Sequence, residues 1–192
     1  MTLTPTIERA IKRASLLHQG QIRKSEKNVP YVTHLFSVAA LLSTYADKED
    51  VIISGLLHDT LEDTPYTEEE LEEEFGKKIK DTVLSVTEAT FHEKKTTMFS
   101  WQERKDRYLE NLKNAGADAL MVSAADKIHN LQTMIDDYKK HGEVIWKNFK
   151  VDKERQLWFF GAVLAILEER LQRGIVPHYR GVFEEAKMLF SK

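Results

Sequence analysis

The sequence predicts an all-α protein, and two observations carry that prediction. Only eight glycines and four prolines punctuate 192 residues, and apolar residues recur at spacings of three and four instead of alternating. With 42% hydrophobic residues, a chain of this length can bury one good core. A single domain over residues 1–192 is therefore expected.

The elements follow in order. Ile7, Ala10, Ile11, Ala14 and Leu17 mark one face of a first helix. The polar stretch QGQIRKSEKNVP reads as a loop, after which Leu35, Val38, Ala39 and Leu42 mark the face of a second. VIISGLLHDTLED is expected to form a third helix, stopped by Pro65. TEEELEEEFG opens with Thr67 as N-cap and Glu70 in capping-box position, then closes at Gly76. Its acids read as a solvated face, with Leu71 and Phe75 turned inward. KKIKDTVLSVTE resumes the helical period at once. Residues 88–100, EATFHEKKTTMFS, lose it and read as a loop, a candidate lid. The period returns in WQERKDRYLENLKNA, in ALMVSAADKIHNLQTMIDDY and in KERQLWFFGAVLAILEERLQRG, with C-terminal helices expected within 143–190. WFFGAVLAIL reads as core.

Charge and composition narrow the function. The formal net charge is −3, from 28 basic and 31 acidic side chains, so no overall basic field exists to attract nucleic acid. The absence of cysteine excludes disulfides and thiolate zinc sites, and any metal must be held by His, Asp and Glu. That composition fits a cytoplasmic protein. MTLTPTIERAIKRASLLH lacks the apolar segment of a signal peptide. LWFFGAVLAIL falls short of the ~20 residues a bilayer demands, so no membrane partner is expected.

One stretch departs from what a buried helix needs. GLLHDTLEDT, residues 55–64, sets His58, Asp59, Glu62 and Asp63 at the end of an apolar run. Uncompensated charge is costly to bury, so such a cluster implies a cation. Residues four apart share a helix face, which places Glu62 above His58 and Asp63 above Asp59. Two further ligands suggest themselves. His34 opens the second helix just before its apolar stripe, and Asp126 follows ALMVSAA, which carries its carboxylate into the core. A mixed nitrogen and oxygen set suits Mn²⁺, Fe²⁺, Co²⁺ or Zn²⁺ better than calcium. Alone, His34 reads first as a satisfied helix-start histidine; Glu62 and Asp63 could be a solvated helix end before Pro65, but their spacing from His58 and Asp59 argues against it.

An early His, an HD dipeptide and a later Asp together resemble the ligand pattern of the HD phosphohydrolase superfamily. HQGQIRKS, PYVTH, GLLHDTLEDT, TEEELEEEFG, VLSVTE and ADKIHNLQT also stand in the order seen in the hydrolase domain of the RelA/SpoT family of alarmone enzymes, across most of residues 7–134. The resemblance implies an HD-type helical bundle in which His34, His58, Asp59 and Asp126 hold one divalent ion, usually manganese. Glu62 and Asp63 would be the catalytic acidic pair that orients water and manages its proton. Arg23 and Lys24 would pack on the purine ring, a contact worth ~0.5–2 kcal/mol, although solvated loop charges are the plain alternative. Asn130 and Thr133 would contact the sugar and base, with Ser25 and Tyr31 nearby. Lys105 could meet a phosphate but reads first as an ordinary exposed helix lysine, and His129 as a companion residue outside the ligand set. His18, His92, His141 and His178 carry no expected role.

Because the sequence ends at Lys192, the synthetase domain of the longer family members has no room, and a small stand-alone hydrolase is expected. The resemblance implies a nucleotide substrate. The activity expected is removal of the 3′-pyrophosphate from guanosine tetra- or pentaphosphate (ppGpp, pppGpp), giving GDP or GTP and pyrophosphate. Ser123 and Gln132 stand where basic residues are common in the family, and Asp136 and Asp137 make one wall of the pocket acidic. These departures keep open another nucleotide, such as an adenosine alarmone or the 2′-phosphate of NADPH, and a non-catalytic nucleotide-binding sensor.

Overall fold

The computed structural model describes residues 2–23, 28–88 and 99–191. It is helical, with no strand beyond a single bridge between Ile22 and Pro30 among the described residues. Helix α1 spans Pro5–Leu17, α2 Val32–Tyr45, α3 Glu49–Leu57, α4 Thr60–Asp63, α5 Glu68–Phe75 and α6 Lys77–Val86. Then come α7 Trp101–Asn114, α8 Ala117–His141, a 3₁₀ segment Gly142–Asn148, α9 Lys153–Arg170 and α10 Ile175–Phe190.

Local chemistry sets the helix starts. Thr4 accepts a hydrogen bond from the Ile7 amide just ahead of Pro5, whose fixed φ suits the first turn. Thr67 and Glu70 close the expected capping box on α5, and Ser100 and Glu103 close another on α7. Gly76, at φ 87°, turns α5 into α6 without a break, a backbone state that favours glycine.

The 25-residue α8 is the central column. Helices α2, α3, α6, α9 and α10 pack around it, and Ser123, Ala124 and Ala125 are small enough to admit close neighbours. The same logic operates between α2 and α3, where a Cβ on Gly55 would lie within 2.3 Å of Leu42 Cδ1. One continuous core runs from Ile7 in α1 to Phe190 in α10 and takes in Leu71 and Phe75 as expected.

One expectation is corrected. The third helix is not continuous from 51 to 63: α3 ends at Leu57, and α4 restarts at Thr60. The Thr60 hydroxyl donates to the Leu57 carbonyl at 2.6 Å, capping the interrupted ladder from within. Over 143–190, α9 and α10 are preceded by the 3₁₀ segment Gly142–Asn148, which carries Ile145 into the core. Most of the candidate lid, residues 89–98, lies outside the described residues.

Candidate active site

The break between α3 and α4 does the positioning. His58 and Asp59 occupy the turn itself, with Asp59 at φ −95° and ψ −2°, so adjacent side chains converge where an unbroken helix would splay them by ~100°. His34 enters from the first turn of α2 and Asp126 from the middle of α8. His34 Nε2 stands 3.2 Å from Asp126 Oδ1 and 3.6 Å from Asp59 Oδ2. His58 Nε2 stands 3.2 Å from Asp59 Oδ2 and 3.7 Å from Asp126 Oδ1.

These four groups fit a metal ion. Ligands ~2.1 Å from one ion lie ~3 Å from each other at a right angle, close to the separations found. The ligand atoms of His34, His58 and Asp126 all fall within 4.8 Å of one another. His58 Nδ1 donates to the Gly55 carbonyl at 2.8 Å, which leaves Nε2 buried, without a hydrogen-bond partner, facing two carboxylates. Something positive has to stand there. Burial alone would lower the His58 pKa, but the charges of Asp59 and Asp126 outweigh it and push it up to about 9. That proton occupies the electrostatic place of a divalent cation. His34, by contrast, is pushed down by burial, despite hydrogen bonding and attraction from Asp126.

Each ligand is braced. His34 Nδ1 lies 2.9 Å from His129 Nδ1; if His34 donates there, its Nε2 lone pair is turned toward the carboxylates. Burial and then the neighbouring His34 lower the His129 pKa to about 4, so His129 is neutral and able to accept. The Tyr31 hydroxyl donates to Asp59 Oδ2 at 2.5 Å. Asn130 and Lys127 donate to the two oxygens of Asp126 at 2.5 and 2.6 Å. Burial opposes ionisation of Asp126, yet Lys127 and the two histidines hold it well below the usual carboxylate range.

Beside the cluster opens a cavity of about 590 Å³, lined by Arg23, Asp59, Glu62, Asp63 and Asp126 among others. Glu62 Oε2 accepts from the Glu88 amide at 3.1 Å. Burial, then repulsion from Asp59 and Glu88, pushes the Glu62 pKa up to about 8. Glu62 can therefore hold or yield a proton near neutrality. Arg23 lies 5.7 Å above the Tyr31 ring and 3.5 Å from Asn130 Oδ1. Thr133 lines both this cavity and a smaller one of about 350 Å³ that also meets His129, Gln132 and Asp136.

With this arrangement in view, the comparisons are specific. The HD domain family matches residues 10–151. The chain belongs to the HD domain family. It is 34% identical over 130 residues to a GTP pyrophosphokinase of Myxococcus xanthus, covering 67% of this chain and 17% of that protein. It is 34% identical over 126 residues to the guanosine-3′,5′-bis(diphosphate) 3′-pyrophosphohydrolase MESH1 of Drosophila melanogaster, covering 65% of this chain and 66% of that protein. A solved structure of a metazoan ortholog of SpoT, described as hydrolysing ppGpp with a role in starvation responses, superposes with a TM-score of 0.74 at 25% identity. That match covers 96% of this chain and 97% of the other. The chain spans about a sixth of the length of the first curated relatives it matches.

Within this HD domain, the residues expected from sequence fall into three groups. His34, His58, Asp59 and Asp126 meet at one point, and Glu62, Asp63, Arg23, Asn130 and Thr133 line the adjoining cavity. Lys24 and Ser25 lie outside the described residues. Ser123 is buried in a 2.7 Å hydrogen bond with Tyr108, behind the cavity wall.

Other residues of the HD domain escaped the sequence. Lys105 is not an exposed helix lysine: it points into the cavity, ion-paired to Glu88 and 4.2 Å from the Phe159 ring centre. Burial pushes its pKa down against the pull of Glu88. A signal existed, because Trp101, Lys105, Tyr108 and Leu112 share one helix face. Phe159 and Phe160, read as core, also line the cavity.

Proposed function

We propose that the protein is a metal-dependent 3′-pyrophosphohydrolase of guanosine tetra- or pentaphosphate. The observation that carries this reading is the buried His58 Nε2, which faces Asp59 and Asp126 with no hydrogen-bond partner, beside a cavity of about 590 Å³. The likeness to MESH1 and to the structure of the metazoan SpoT ortholog supports the choice of substrate. His34, His58, Asp59 and Asp126 would hold the ion, and two imidazoles with two carboxylates suit manganese. When bound, the ion supplies Lewis acidity and neutralises charge on a substrate phosphate.

The chain's own side chains then divide the work. Arg23, braced on Tyr31, offers a flat cationic face for a purine, and by resemblance Lys24 and Ser25 join it. Lys105 presents an ammonium group to a phosphate oxygen. In the reaction, a water oxygen bonds to the phosphorus attached to the 3′-oxygen, and that P–O bond breaks. Glu62 takes a proton from the water, with its other oxygen fixed by the Glu88 amide, and a proton is returned to the leaving 3′-oxygen. Asp63, on the next residue, shares the proton traffic. A cytoplasmic location belongs to the same reading, and no helix among the described residues is long and apolar enough to cross a membrane.

The test is a substrate panel with manganese-loaded protein: guanosine tetraphosphate, its adenosine analogue and NADPH, with products separated by ion-exchange chromatography. GDP and pyrophosphate from the first substrate are expected. Orthophosphate from NADPH alone would sink the assignment while leaving an HD phosphohydrolase.

A further inference from the structure

Asp137 is a carboxylate with no evident employment. It is 7% exposed, lines the main cavity, and has no hydrogen-bond or ion-pair partner among the described residues. The cations lining the cavity are engaged elsewhere, Lys105 with Glu88, Lys127 with Asp126 and Arg23 with Asn130. Met134, Phe149, Gln156 and Phe160 line the same cavity. A carboxylate that opens into a cavity with no partner of its own is free to accept from a ligand, and a donor belonging to that ligand is its natural complement. The neighbouring Asp136 faces the smaller cavity and does not share this setting.

Position says which part of a ligand would arrive there. Asp126, Asn130, Thr133 and Asp137 fall within ~60° of one another around α8, and Asp137 lies ~16 Å along the axis from Asp126. A nucleotide laid along this face with its reacting phosphates at Asp126 points its base toward Asp137. Arg23, beside Asn130, supplies the flat face on the way. A carboxylate presents two acceptors side by side, and it matches a base edge with two adjacent N–H donors. Guanine has that edge, at N1–H and the exocyclic N2 amine. Adenine sets an acceptor, N1, beside its amine and meets one carboxylate oxygen with repulsion.

We propose that Asp137 is the residue that selects guanine, accepting hydrogen bonds from its N1–H and N2–H while the phosphates lie at the His34, His58, Asp59 and Asp126 cluster. This rests on the nucleotide-hydrolase reading given above. It also turns the acidity of this wall from a departure into a specificity device. A site built around such donors rejects a base that lacks them far more strongly than an apolar slot does.

The experiment compares kcat/KM for guanosine tetraphosphate with its inosine and adenosine analogues, in the wild type, Asp137→Asn and Asp137→Leu, all manganese-loaded. The wild type should rank guanosine over inosine over adenosine. Both substitutions should cut the guanosine-to-adenosine ratio by about tenfold or more, mainly through KM. Neither should lower the Tm of the ligand-free protein, because Asp137 has no protein partner to lose, whereas removal of a structural carboxylate would lower it. An unchanged ratio in both variants overturns the role of Asp137 and leaves the hydrolase reading standing. Equal loss on all three substrates with a lowered Tm also overturns it, in favour of a structural acid. If the wild type turns over none of the three, the hydrolase reading falls and this inference falls with it.

Discussion

Glu62 shows how surroundings change what a single side chain can do. It sits at the end of α4, four residues after His58, where a solvated helix end was the plain alternative. Burial and the charges of Asp59 and Glu88 separate the two possibilities by pushing its pKa up to about 8. Glu62→Gln should therefore lower kcat by ~10²–10⁴-fold while the bound metal stays stoichiometric; steady-state kinetics beside elemental analysis checks both, and loss of the metal would show that Glu62 acts through the ligands. His129 makes a second case. Its 2.9 Å contact with His34 Nδ1 predicts that His129→Phe weakens metal affinity by ~10–100-fold, measured by competition with a chelating dye. An unaltered affinity would mean the contact does not orient His34. Lys105 was misjudged because an isolated lysine on a polar helix resembles any other until Glu88 and Phe159 close around it.

Among the elements, the short interruption between α3 and α4 matters most. Periodicity ran through it, since His58 and Asp59 continue an apolar helical pattern, and nothing in the spacing marked the stop. What ends the helix is a side-chain bond, Thr60 to the Leu57 carbonyl, buried at 0% exposure. Thr60→Val keeps the shape and leaves that carbonyl unpaired, so stability should fall by ~1–3 kcal/mol, read by urea denaturation. No change in the midpoint would mean the break is held by packing alone. The caps of α5 were plainly legible, because Thr67 and Glu70 satisfy each other locally and need no distant partner. Thr67→Ala should cost ~1 kcal/mol. The cap built from a recognisable polar pair at a helix start was readable, whereas the break made by one threonine inside an apolar run was not, because a single hydroxyl there does not alter the spacing.

At the scale of the whole molecule, α8 ties the site to the core. The helix that places Asp126 also carries the packing of α2, α3, α9 and α10, so an ion held there would couple its binding to global stability. An ion that binds the folded state alone stabilises it by ~2.7 kcal/mol at a hundred times its Kd. Tm should rise with added manganese in the wild type and stay flat in Asp126→Ala. The convergence of His34, His58, Asp59 and Asp126 was legible from sequence because each sits at the end or the start of an apolar stripe, and Asp137 was expected in the pocket wall, whereas the part played there by Phe149 and Phe160 emerges only from the packed structure. The most direct test of the central claim titrates metal-stripped protein with manganese and follows pyrophosphate and GDP released from guanosine tetraphosphate. The account predicts equal amounts of the two products, a rate that climbs to a plateau at one ion per chain, and no response in Asp126→Ala. Turnover without the ion, or none at saturation, would contradict it.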